Sequence, residues 1–143
     1  MKKGSTLIES IMSISLLLVA LTITLQISYL SYKSIKLRKD KEEANRIGYA
    51  IENEIKYNTS FSEIKDKFKN NNLSLEYKNN ILDELLDKSL LSIEKGDDIV
   101  IEKIKDYSKE EKYEVSAFKV TIYNSSGGIL NEREFIKSYW MEI

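Results

Sequence analysis

Glu9 stands at the mouth of an uncharged run: no Asp, Glu, Lys or Arg occurs from Ser10 to Tyr32. A charge carried into the middle of a bilayer costs about 2.5 kcal/mol or more, so a carboxylate at the edge of such a segment needs a partner or a task. Two lysines, Lys2 and Lys3, make a cationic start just before it. Gly4 follows them, and its lack of a side chain leaves an unhindered backbone where a protease can bind an extended chain. A glycine, a carboxylate and a membrane-length apolar run thus meet within a short stretch.

Chemistry of other kinds is thinly provided. The chain has no histidine and no cysteine, which removes the common nucleophile triads, the usual zinc sites and the usual pH switch. Its five glycines form no phosphate-cradling loop. Asp97 and Asp98 follow Gly96 and read as a turn before they read as a calcium site. The chain therefore reads as non-enzymatic, with no cofactor and no metal.

The run from Ser10 to Tyr32 is long enough for the roughly 20 helical residues that span a bilayer core. An ordinary signal peptide has an apolar core of about 7–15 residues and a small-residue cleavage site behind it. This run is longer, and no Ala-x-Ala pattern follows it. A plain single-pass anchor is the simpler alternative. Ser13, Ser15, Thr22, Thr24, Gln26 and Ser28 interrupt the run. Their side chains can bond back to helix carbonyls or across to neighbouring helices; a helix facing only lipid gains nothing from Gln26.

The residues Lys2-Lys3-Gly4, then Thr6-Leu7-Ile8-Glu9 and the apolar run, resemble the type IV pilin family and its pseudopilin relatives. The resemblance covers about the first 30 residues. It implies cleavage by a prepilin peptidase between Gly4 and Ser5, N-methylation of Ser5, and assembly through Glu9. Ser5 stands where the family most often has Phe, and the chain has no proline to kink the helix near Gln26; both departures lean towards a minor subunit. The implied partners are the peptidase, other pilin subunits through helix bundling, the inner-membrane assembly machinery and membrane lipid. The implied location is the cytoplasmic membrane, N-terminus in the cytoplasm, and then a surface or envelope filament. A competence pseudopilin of DNA uptake and a secretion-system pseudopilin are alternatives within the same resemblance.

Four parts follow from this reading: leader 1–4, membrane and assembly helix 5–32, amphipathic helix 33–57, and an extracytoplasmic head 58–143. Residues 33–57 carry seven basic and five acidic side chains, and residues 58–143 carry 13 and 17. The head's net charge of −4 argues against direct nucleic-acid binding, which needs Lys and Arg at phosphates. Lys33, Lys36, Arg38, Lys39 and Lys41 conflict with the positive-inside rule if the leader is cytoplasmic; the cleavage motif decides the orientation here.

The expected fold is α+β and pilin-like: a long N-terminal helix packed on a small antiparallel sheet. Leu37, Ala44, Ile47, Ile51 and Ile55 fall on one helical face, and Gly48 beside them suggests close packing. A single helix over 6–57 is about 75 Å long at roughly 1.5 Å per residue. Ser60 and Glu63 form a capping box ahead of a short helix through Phe61, Ile64 and Phe68 to about Lys69. Leu73, Leu75 and Tyr77 alternate as a short strand. Asn79-Asn80 marks a turn, and Ile81, Leu82, Leu85, Leu86 and Leu90 suit a further helix. Strands follow at 99–105, from Tyr113 to Tyr123, and through Phe135, Ile136, Tyr139 and Trp140, with a hairpin at 124–128. Tyr113 and Val115 are out of phase with Phe118, Val120 and Ile122, which predicts a bulge near Ala117 or a strand buried on both faces. Tyr139 and Trp140 are expected to pack on the core or sheet.

Overall fold

The computed structural model describes residues 3–68, 71–78, 81–107 and 114–141. Lys2, Lys69, Asn70, the Asn79–Asn80 turn and Tyr113 lie outside the described residues. The chain divides into two compact units, Met1–Lys39 and Asp40–Ile143. Helix α1 runs Lys3–Asn53, and a π-helical turn, Glu54–Asn58, continues it.

In the second unit, the apolar stripe of α1 faces a four-stranded antiparallel sheet in the order β1-β2-β3-β4. The strands are β1 Asn72–Leu75, β2 Ile99–Asp106, β3 Val115–Tyr123 and β4 Ile129–Ser138. Two short helices, α2 Phe61–Lys67 and α3 Ile81–Asp87, complete the α+β fold. The predicted strand at Leu73 thus joins the edge of the meander through β2, pairing Leu73 with Ile101 and Leu75 with Ile99.

Ala44, Ile47, Ile51 and Ile55 are fully buried, and so are Ile99, Ile101, Phe118, Val120 and Ile122 from the inner sheet face. Burying one such side chain contributes about 1.5–3 kcal/mol. Phe118 stacks on Phe135 at 5.8 Å and meets the edge of Phe68 at 5.9 Å. Leu37, expected on the same stripe, belongs to the other unit and is exposed. Gly48 does pack closely: a Cβ there would lie 2.8 Å from Asn131 Oδ1 and 3.1 Å from Arg133 Cδ, both on β4.

The capping box forms as predicted. Glu63 N–H donates to Ser60 Oγ at 3.2 Å, and Ser60 N–H to the Glu63 carboxylate at 2.9 Å. Leu90 is buried, but in a separate 3-10 turn, Leu90–Ser92, because α3 stops at Asp87. Asn124 closes the hairpin: its Oδ1 accepts from the N–H groups of Ser126 and Gly128, and Gly127 adopts φ 78°.

Two further expectations change. The bulge sits on β2, where the register shifts between Lys103 and Lys105 opposite Phe118 and Ala117. Strand β3 itself keeps one phase, with Ser116, Phe118, Val120 and Ile122 inward; Val115 and Ala117 are half-buried on the outer face, where Thr121 is buried. Strand β4 ends at Ser138, and Tyr139 and Trp140 enter a short 3-10 turn instead of the core. Trp140 is 67% exposed, because its turn carries it off the end of the sheet.

The end of the long helix has no glycine cap. Its last carbonyls are met from a distance. Thr59 Oγ1 donates to Glu54 O at 3.1 Å, and Lys137 Nζ, from β4, donates to Lys56 O at 3.0 Å. Lys137 is wholly buried, with its ammonium 5.1 Å from the centre of the Phe61 ring. A cation suits the carbonyl end of a helix and the face of an aromatic ring. Beside it, Glu52 accepts from Lys56 Nζ at 2.6 Å and from Arg133 Nε at 2.8 Å, tying α1 to β4.

Candidate membrane and assembly segment

The first unit carries all three candidate site residues. The backbone of Lys3, Gly4 and Ser5 is already helical, in the first turn of α1. Glu9 follows Ser5 by four residues, one turn on, so the two share a face. The Glu9 side chain is exposed, and its carbonyl accepts from Ser13 Oγ at 2.8 Å. The spacing thus brings Ser5 and Glu9 to neighbouring positions on one helix; the side chains of Gly4 and Ser5 lie outside what is described.

Behind Glu9 the helix is apolar on every side. Leu7, Ile8, Ile11, Met12 and each large apolar residue on to Leu30 are more than half exposed. An α-helix satisfies its own backbone, so such a surface suits lipid or other apolar helices. Among the described residues one helical stretch, Thr6–Asn58, is long and apolar enough to cross a membrane.

The polar residues of this run divide into two kinds. Ser10, Ser13, Ser15, Thr22, Thr24 and Ser28 each donate to a carbonyl three or four residues back, at 2.8–3.0 Å. Their hydroxyls therefore present little unmet polarity to a surrounding apolar phase. Gln26 and Ser31 differ: both side chains are exposed and make no hydrogen bond among the described residues, and of the two Gln26 lies deeper in the run.

The second unit offers an open cleft of about 300 Å³ lined by Asp40, Glu43, Tyr77, Asp98 and Tyr123. Burial, and then the charge and hydrogen bonding of Glu43 with a smaller effect of Asp40, push the Tyr77 phenol up to about 12. Asp98 is occupied structurally: it accepts the Tyr77 N–H at 3.1 Å. Gly96 lies against the backbone of Glu76, where a Cβ would come within 2.6 Å of Glu76 Cα. The Gly96-Asp97-Asp98 segment is therefore a packed turn. Among the described residues no group of three or more His, Cys, Asp or Glu side chains could hold a metal ion.

Sequence reasoning missed Lys137, because a lysine in an amphipathic strand reads as solvated. The one local signal was its phase: it lies two residues after Phe135, on the inward side of β4. No protein-family model, curated protein or solved structure matches the chain.

Proposed function

We propose that this chain is a non-enzymatic structural subunit of a type IV pilus-like filament, of the minor pilin or pseudopilin kind. What carries the reading is one coincidence: Gly4, a carboxylate five residues later, and an apolar helix exposed over its whole circumference. In this reading a prepilin peptidase cuts after Gly4, with the leader in the cytoplasm. The helical first turn must unwind to enter the peptidase, and glycine lowers that cost by about 1 kcal/mol relative to alanine. The cut leaves a positive amine on Ser5, a substrate for methylation, beside an apolar surface.

In a bundle of such helices the amine and Glu9 both leave water. Opposite charges about 4 Å apart attract by roughly 4 kcal/mol at an effective dielectric of 20, and either charge alone is costly to bury. Pairing Glu9 with the Ser5 amine of a neighbouring subunit gives a register for adding subunits; pairing within one chain only neutralises the monomer.

Glu9→Gln keeps size and hydrogen bonding and removes the charge. The variant is expected to be cut after Gly4, with Ser5 as the N-terminus by mass spectrometry, and to be absent from sheared filament fractions. Incorporation at the wild-type level would leave Glu9 no role in assembly.

A further inference from the structure

The uneven treatment of polar groups along the first helix carries a second conclusion. Six hydroxyls of the apolar run are satisfied inside the helix, whereas Gln26 and, near the end of the run, Ser31 make no side-chain hydrogen bond among the described residues; Gln26 lies deeper and carries the larger polar group. Water cannot satisfy it in a hydrocarbon core, and an unpaired amide there is costly. A hydroxyl can fold back onto its own helix; the longer amide of glutamine, with two donors and a two-lone-pair oxygen, is better placed to reach across to a neighbour.

We infer that Gln26 pairs two copies of this chain side by side in the membrane, each amide donating to the other's carbonyl oxygen. The inference rests on the membrane reading of the segment and not on filament assembly. Three observations favour a second copy as the partner. A primary amide is self-complementary, since donor and acceptor sit on one planar group. Two copies inserted in the same direction hold Gln26 at the same depth, so the match needs no sliding. Finally, Met12, Ser15, Val19, Thr22, Gln26 and Tyr29 recur at alternating steps of three and four, which places Gln26 on a seam that a parallel helix can follow. All six are exposed, and Ser15 and Thr22 are small enough to let two backbones approach.

The chain has no cysteine, so single cysteines report the interface without background. Full-length Val19→Cys, two turns before Gln26 on its face, and Leu17→Cys, on the opposite face, are each expressed and oxidised in intact membranes. The expected result is a disulfide-linked homodimer from Val19→Cys and little from Leu17→Cys. Adding Gln26→Leu to Val19→Cys is expected to weaken association roughly tenfold, the scale of an interhelical hydrogen-bonded pair, while Gln26→Asn retains most of it. Equal dimer from both cysteines, dimer unaffected by Gln26→Leu, or a crosslink to a protein of different mass would each overturn the pairing. Alkaline carbonate extraction separates the premise from the inference. Recovery of the chain in the soluble fraction overturns the membrane reading and the pairing with it, whereas a membrane-resident monomer overturns the pairing alone.

Discussion

Helix α1 is one secondary-structure element with two different relations to its surroundings. Before Lys39 its apolar side chains are exposed and six of its hydroxyls bond back onto the helix; from Ala44 onwards an apolar stripe is buried and polar side chains reach out to β4. The same helical period thus serves two solvents. The second unit supplies its own apolar phase, a sheet. The first unit has none among the described residues, and its helix is long and apolar enough to cross a membrane. Hydropathy alone marks the first region as apolar, but only the burial pattern shows which apolar residues already have partners.

The largest expected effect tests that division by the same change in both regions. Ile51→Asp puts an unpaired charge into the fully buried stripe and should unfold the second unit, since the cost is several kcal/mol. Ile23→Asp should leave the melting temperature of that unit unchanged and reduce membrane retention instead. Circular dichroism of a 33–143 fragment and membrane fractionation of the full chain read the two outcomes. An unchanged melt for Ile51→Asp would remove the stripe from the core.

A smaller effect concerns the polar tie between α1 and β4. Burial alone would raise the Glu52 carboxyl, but hydrogen bonds and charge from Lys56 and Arg133 outweigh it and hold the group below its ordinary 4.5. A carboxylate lowered on folding contributes stability that is present above its unfolded pKa and lost as pH falls through the folded one. The head should therefore lose stability as pH drops below about 4.5. Glu52→Gln should cost about 2 kcal/mol at pH 7, the scale of hydrogen bonds to a charged group, and should flatten the acid slope. An acid profile identical to wild type would show that other carboxylates set it.

The stripe from Ala44 to Ile55, the capping box and the Asn124 hairpin were legible because each is a local pattern with one physical solution. The bulge was not, since a sequence of alternating residues cannot say which of two paired strands carries the extra one; here Val115 and Ala117 signalled a half-buried outer face of β3, and the insertion fell on β2. Lys137 and the π-turn were hidden for another reason. The group that Lys137 caps lies 81 residues earlier, so no window along the chain contains both. Of the candidate site, Gly4, Ser5 and Glu9 were visible as types and spacing, and Gln26 as an odd residue for lipid; the structure added that six hydroxyls of the run bond back onto the helix while Gln26 does not.

The smallest predicted effect tests the close approach of α1 and β4. Gly48→Ala gains about 1 kcal/mol of helix propensity but drives a methyl into Asn131 Oδ1. The two should nearly cancel in the wild type. In an Asn131→Ala background, where the Arg133 side chain alone has to give way, part of that gain of about 1 kcal/mol should appear as added stability. Denaturant unfolding of the four proteins measures the coupling, and additive behaviour would place the helix farther from the strand than the described contact.

Strand β4 is the long outer edge of the sheet, ten residues with one side unpaired by any strand among the described residues. An open edge of that length invites a foreign strand to zip on. Here its inward side carries Arg133 and Lys137, clasped by Glu52 and by the last turn of the helix. A strand cannot slide or swap out of β4 without stranding a buried ammonium and a carboxylate. Exchanging β4 between two heads would thus break a buried cation–carbonyl contact and an ion pair, which disfavours domain swapping through this strand.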